Sequence, residues 1–275
     1  MLYYSHPLIM GILNITPDSF SDGGKFFNTK AALNHAEEMI KAGADIIDIG
    51  GESTRPGSES VSENEELDRV IPVVDGILEK YPDAVISIDT TKRAVALEAL
   101  KRGAAIINDI SGLTFEPEIA EVVAQFDANL VIMHIKGTPK DMQLKPDYSD
   151  VVLEVYEFLE KQSNFAKAKG VKKIIIDPGI GFGKKVSHNY ELLKNLNVFK
   201  LFGYPVLIGL SRKSFLGKSL NLEVNERDTA TVIAETLALK NGADIIRTHN
   251  VKNAFESRQI HLNFMNPQSS EKNNV

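Results

Sequence analysis

A row of polar residues recurs along this chain, each just past a short apolar run: Asn14, Asp48, Asp89, Asn108 with Asp109, His134, Asp177, Lys213, and Arg247 with His249. Amides and carboxylates fill one half of the row and cations the other. A single such residue has a plain structural reading, because Asp and Asn at a strand end often cap the next helix; Asp89 before Thr90, Thr91 and Lys92 is an example. A whole row is much harder to explain by capping and points to one polar site built from many strand ends. Other chemistries fit poorly. Gly217-Lys218-Ser219 ends like a phosphate-binding loop, but position 212 is Arg where that loop requires Gly. Gly179-Ile180-Gly181-Phe182-Gly183 runs into Lys184, which breaks the dinucleotide fingerprint. The six histidines include no close metal-ligand spacing, and His6, His35, His188 and His261 read as surface residues. With no cysteine, disulfides, thiolate zinc sites and thiol nucleophiles are excluded.

An internal repeat shows which elements must position the row. Lys41-Ala42-Gly43-Ala44-Asp45-Ile46-Ile47-Asp48 recurs at 101–108 and at 240–247, with a looser copy from Lys169 to Asp177. Gly after a helical stretch, with Lys near the helix end, is a C-cap signature. The β-branched pair that follows reads as a short strand buried on both faces, as in a parallel sheet. Further strands are expected at 8–13, 85–88, 130–133 and 206–210. Helical periods lie between them, at Leu67, Val70, Ile71, Val74, Ile77, Leu78 and Tyr81, and at Ala230, Ile233, Ala234 and Leu237. Strand alternating with helix predicts an α/β chain, a (β/α)₈ TIM barrel with its active site at the C-terminal face of the strands; an open doubly wound sheet is the alternative. Residues 1–265 are expected to form a single domain and 266–275 a polar tail. Two connections, 16–29 and 50–62, exceed the roughly 2–6 residues such links need, and their Gly-bearing turns read as mobile lids over that face.

Composition agrees. The 275 residues are 43% hydrophobic and 25% charged, as in an ordinary soluble protein able to bury a full core. A net charge of −6 recommends neither nucleic acid nor an anionic membrane as partner, though it leaves room for a locally basic site. The first residues show no basic region before their apolar run and no cleavage pattern, so a cytoplasmic location is expected.

At the strand ends the chain closely resembles the dihydropteroate synthases, the folate-pathway members of the pterin-binding barrel family. The resemblance is carried by Met10-Gly11-Ile12-Leu13-Asn14-Ile15-Thr16-Pro17-Asp18-Ser19-Phe20-Ser21-Asp22-Gly23-Gly24 and by Asp48-Ile49-Gly50-Gly51-Glu52-Ser53-Thr54-Arg55-Pro56-Gly57. It continues through Ser87-Ile88-Asp89-Thr90, Ile107-Asn108-Asp109-Ile110-Ser111-Gly112, Met133-His134 and Asp177-Pro178-Gly179 to Lys184. It ends with Ser211-Arg212-Lys213-Ser214 and Arg247-Thr248-His249-Asn250-Val251. Asn250 departs from the more usual Asp after the His, and Ile135-Lys136 from the commoner residues after Met-His.

The resemblance implies condensation of 6-hydroxymethyl-7,8-dihydropterin diphosphate with p-aminobenzoate to give 7,8-dihydropteroate. It implies that Asp177 and Asn108, with Asp89 beside them, sit on the pterin edge, and that Lys213 lies near the ring carbonyl and N5. Met133 and Phe182 would be apolar walls. Arg247 and His249 would form the diphosphate site, and Asn14 would be the protein ligand of Mg²⁺. Thr54 and Arg55 would close over the reacting centre. Pro56 and Phe182 would pack on the aminobenzoate ring, and Ser214 would meet its carboxylate. A homodimer is the family's usual state. A methyltetrahydrofolate-dependent methyltransferase would share Asp89, Asn108 and Asp177 but has no diphosphate to hold, and a non-catalytic pterin-binding paralogue is the other alternative.

Overall fold

The computed structural model describes residues 6–16, 25–53 and 57–267. Among them, strands and helices alternate: β1 Leu8–Asn14, α1 Lys25–Lys41, β2 Ile46–Gly50, α2 Glu63–Lys80, β3 Ile86–Asp89, α3 Arg93–Lys101, β4 Ile106–Asp109, α4 Ile119–Gln125 and β5 Asn129–Met133. Then come α5 Val151–Ala168, β6 Lys173–Asp177, α6 Val186–Lys194, β7 Leu207–Gly209, α7 Ser214–Leu220, α8 Asp228–Lys240, β8 Ile245–Thr248 and α9 Val251–Met265.

The repeat has the conformation its glycines suggest. Gly43, Gly103, Gly170 and Gly242 all have φ between 94° and 103°, a region that favours glycine. The residue after each Gly donates to a carbonyl near the helix end: Ala44 to Met39, Ala104 to Ala99, Val171 to Ala166 and Ala243 to Ala238. This closing bond satisfies an otherwise unpaired carbonyl and turns the chain directly into the next strand. At the other end of α2, Ser62 Oγ accepts from Glu65 N, and Glu63, Glu65 and Glu66 lie in the first turn, where negative charge is favoured.

All eight strands are parallel in the order β6-β5-β4-β3-β2-β1-β8-β7. A parallel bridge between Ile176 and Val206 joins β6 to β7 and closes the sheet into a barrel, which excludes the open doubly wound alternative. Side chains alternate across a strand, so every second residue faces the interior. The interior floor is apolar: Leu8, Met10, Ile46, Ile106, Val131, Ile175, Leu207 and Ile245. The other faces of the strands join the helices in a larger core that includes Val70, Val74, Ile77, Leu159 and Phe199.

A helix boundary and a helix face differ from expectation. Helix α1 begins at Lys25, so the first connection is shorter than 16–29; the helix starts as soon as the Gly23-Gly24 breaker is passed. On α8, Ala230 and Ala234 are buried as predicted, but Ile233 and Leu237 of the same period are exposed. No helix among the described residues is long and apolar enough to cross a membrane.

Candidate active site

Two residues beyond the apolar floor, the inward positions turn polar. Ile46 is followed by Asp48, Ile106 by Asn108, Ile175 by Asp177 and Ile245 by Arg247, while β3 contributes Ser87 and Asp89. The repeat therefore delivers its terminal polar residue into the barrel mouth on strand after strand.

Arg247 is held there by two buried carboxylates. Its Nε donates to Asp48 Oδ2 at 2.6 Å and its Nη2 to Asp89 Oδ2 at 2.6 Å. Asp48 Oδ2 also accepts from Asn108 Nδ2 at 3.0 Å. Burial opposes the guanidinium charge, but the two carboxylates outweigh it and hold the Arg247 pKa above its ordinary value. Burial pushes the Asp89 carboxyl up to about 7, a rise that Arg247 opposes and Asp48 reinforces. The capping reading of Asp89 falls, since α3 is capped by Lys92 without a side-chain bond.

Across the mouth, Asp177 Oδ1 accepts the Gly179 N–H at 2.7 Å, and Oδ2 takes no hydrogen bond among the described residues. Burial raises the Asp177 pKa against the pull of Lys213. Lys213 Nζ donates to the Ile180 carbonyl and lies 4.8 Å from the Phe182 ring centroid. Phe182 in turn packs on Ile110, Met133, Ile135 and Met142, an apolar wall beside the polar rim.

Two inward glycines keep the space between these groups open. A Cβ on Gly50 would lie 3.5 Å from Asn14 Oδ1 and 3.5 Å from Asp89 Cβ; one on Gly209 would lie 3.8 Å from Lys213 Nζ and 3.9 Å from Arg247 Cβ. His249 stands at the rim with Nδ1 2.9 Å from Ser211 Oγ. Ser214 opens α7 and is exposed. Acceptors (Asp177 Oδ2 and the Asn108 oxygen) and cations (Lys213 and Arg247) thus meet at the mouth of the barrel. Such a set can bind a flat ring with N–H donors on one edge and hold oxygens or an anion on the other side.

Thr54, Arg55 and Pro56 lie outside the described residues, as do residues 17–24. The flanks of the second connection are well tied. Ser58 Oγ donates to Ser53 O at 2.6 Å, and Glu52 Oε2 accepts from Val61 N at 2.9 Å and from Lys92 Nζ at 2.7 Å. Lys92 also pairs with the buried Glu66.

Sequence reading left two residues without a role. Asp48 was legible as a strand-end carboxylate, but not as the shared partner of Asn108 and Arg247. Lys184 is buried, with Nζ 2.8 Å from His134 Nδ1, 2.8 Å from Gly179 O and 3.0 Å from Phe182 O. It therefore braces the loop that carries Asp177 and Phe182. Burial lowers its pKa well below the ordinary lysine value and brings His134 down to about 2, so the imidazole is a neutral acceptor.

Burial also brings the Lys213 pKa down to about 8, with Asp177 opposing the fall and Arg247 adding to it. Lys213 is then a cation below that pH and neutral above it. If the cation engages a ring oxygen, kcat/KM should be level below pH ~8 and fall above it. Lys213→Arg, which stays charged, should remove the fall, whereas an unchanged high-pH limb in that variant would assign it to another group. Stability moves the opposite way. Between about 8 and 10.5 the unfolded chain binds the extra proton, so this group's contribution to stability grows with pH through that window.

Residues 10–249 match the family of pterin binding enzymes. A dihydropteroate synthase of Synechocystis sp. is 49% identical over 247 residues, 89% of this chain and 85% of its own. The chain belongs to the dihydropteroate synthase family. Among solved members, the Clostridium difficile dihydropteroate synthase, determined in the presence of pteroic acid, superposes with a TM-score of 0.90 at 43% identity, covering 97% of this chain and 99% of that one. The Xanthomonas albilineans dihydropteroate synthase with 4-aminobenzoic acid gives 0.89 at 39% identity, covering 95% and 94%. These dihydropteroate synthases favour neither a methyltransferase nor a non-catalytic paralogue.

Proposed function

We infer that this chain joins 6-hydroxymethyl-7,8-dihydropterin diphosphate to p-aminobenzoate in folate biosynthesis, releasing 7,8-dihydropteroate and diphosphate. The observation that carries this reading is the convergence of the Asp177 and Asn108 acceptors with the Lys213 and Arg247 cations in one barrel mouth. In this reading Asp177 Oδ2 and Asn108 accept N–H groups of the pterin edge, Asp89 flanks them, and Lys213 meets the ring carbonyl and N5. Met133 and Phe182 wall the rings. Arg247 and His249 receive the diphosphate. Ser214, with the first N–H groups of α7, meets the aminobenzoate carboxylate, while Thr54, Arg55 and Pro56 complete the reacting centre. The bond from the exocyclic methylene to the diphosphate oxygen breaks, its electrons leaving with the diphosphate, while the amine nitrogen bonds to that carbon and gives up one proton to solvent. The protein's work is to hold the amine in line and stabilise charge on the leaving oxygens, with no covalent nucleophile.

Asn14 fits a Mg²⁺ ligand of limited kind. Its amide oxygen faces Asp89 across Gly50, so the local donors are hard oxygens. No group of three or more His, Cys, Asp or Glu able to hold an ion occurs among the described residues, which suits an ion carried mainly by the diphosphate. When bound, such an ion neutralises part of the leaving-group charge. We also assign the chain to a homodimer. Ile233 and Leu237 on α8 and Ile260 and Phe264 on α9 are 52–64% exposed, an apolar surface that a second copy would cover, and sedimentation reads it directly. A cytoplasmic location is in keeping with the cysteine-free sequence.

In this reading diphosphate bound at Arg247 and His249 draws Arg55 to the reacting centre, so diphosphate should help to assemble the aminobenzoate pocket. Isothermal titration should show p-aminobenzoate binding measurably when Mg-diphosphate is present and weakly or not at all without it, a coupling of ~1–3 kcal/mol. Equal affinity in both titrations would mean the pocket is preformed. No binding in either would remove the acceptor assignment.

A further inference from the structure

Asp48 is wholly buried and has one carboxylate oxygen, Oδ1, with no hydrogen-bond partner among the described residues. Leaving a buried polar atom unpaired is costly, and such atoms are rare in folded proteins. The register neighbour of Asp48 on β1 is Ile12, so an apolar side chain is sterically ordinary at this level of the barrel. What the carboxylate gains is at its other oxygen: Oδ2 accepts from Asn108 Nδ2 and from Arg247 Nε.

Oδ2 already accepts from Arg247 Nε, so it faces Asn108 as an acceptor, and only the NH₂ side of the Asn108 amide can meet it. That fixes the amide's two ends. The Asn108 oxygen accepts no hydrogen bond among the described residues and is the end left for a ligand. We propose that Asp48 is a positioning residue which, through its bond to Asn108 Nδ2, holds the Asn108 amide with its oxygen toward the substrate and so makes the site select an N–H donor at that edge. Without Asp48 the amide can turn over and present NH₂ to an N–H group, two donors in opposition. The proposal rests on the reading above that Asn108 meets the pterin.

The test is a double-mutant cycle read by titration of 6-hydroxymethyl-7,8-dihydropterin. This diphosphate-free ligand keeps the anion-binding part of Arg247 out of the measurement. Asn108→Ala should weaken binding at least about tenfold, the size of one buried hydrogen bond left unmade. Asp48→Ala should do the same. Asp48→Asn keeps an oxygen that can accept from both partners, so it should stay within about threefold of the parent. In the Asn108→Ala background, Asp48→Ala should add little, because its effect runs through the amide already removed. If the two alanine losses multiply, Asp48 acts through Arg247 or through packing and the proposal is overturned. It is overturned equally if Asp48→Ala binds the pterin as the parent does while Asn108→Ala does not. If Asn108→Ala itself binds normally, it is the pterin reading of Asn108 that fails. Thermal melting of each variant is measured alongside. A loss of affinity that follows the loss of stability, with no rescue by Asp48→Asn, would assign Asp48 a structural role only.

Discussion

Asp177→Asn is expected to weaken pterin binding by about 2–4 kcal/mol, although the two side chains have nearly the same shape. Asp177 Oδ1 is committed to the Gly179 N–H, a bond that an Asn oxygen can keep. The other end of the amide would then carry two protons where the pterin edge also presents protons. A buried donor on each side is left unpaired, which is the source of the large effect. Stability should change far less, because the loop stays braced by Lys184 through Gly179 O and Phe182 O. Unchanged pterin affinity in this variant, measured by titration, would reduce Asp177 to a loop-turning residue.

Arg247→Ala should destabilise the fold as well as the ligand complex. The sequence offers Arg247 as a diphosphate ligand, but the structure gives it a second task between Asp48 and Asp89. Those carboxylates are buried, and removing their shared cation leaves like charges with no counterion. Breaking a buried ion pair in this way costs ~3–5 kcal/mol. A denaturant midpoint should fall accordingly, and free diphosphate should lose more affinity than a diphosphate-free pterin. The destabilisation should be largest at alkaline pH and ease as pH falls to neutral, because Asp89, whose carboxyl sits near 7 even beside Arg247, protonates at a still higher pH without it and removes one of the like charges. A variant as stable as the parent at alkaline pH would show that the two carboxylates do not depend on Arg247.

What could be read from sequence follows from how local each signal is. The strands were legible because the pairs Ile46-Ile47, Ile106-Ile107 and Ile245-Ile246 each sit between a C-capping Gly and a polar residue, all within eight positions. The site row was legible for the same reason, since period-two alternation places Asp48, Asn108, Asp177 and Arg247 inward with the floor residues. The expected 206–210 is longer than the observed Leu207–Gly209: Val206 forms an isolated bridge to Ile176, and its N–H donates to the Asp244 carboxylate instead of to a strand. The partnerships were not legible. Arg247 and Asp48 are separated by 199 positions, and nothing local says that one carboxylate will serve both Arg247 and Asn108. In the sequence Lys184 is only the residue that breaks a glycine motif and ends a segment of the family resemblance. Its burial depends on carbonyls of its own loop turning inward to meet the ammonium, which composition does not reveal.

The central claim is that this barrel mouth joins a pterin to an arylamine by expelling diphosphate. The most direct test is an assay of the purified chain with 6-hydroxymethyl-7,8-dihydropterin diphosphate, p-aminobenzoate and Mg²⁺, following diphosphate release and 7,8-dihydropteroate formation together. The account predicts one diphosphate released per dihydropteroate formed, both requiring p-aminobenzoate, and both lost in Asp177→Asn and Lys213→Ala. Diphosphate release that is indifferent to p-aminobenzoate, or no dihydropteroate from chain that binds both substrates, would contradict it.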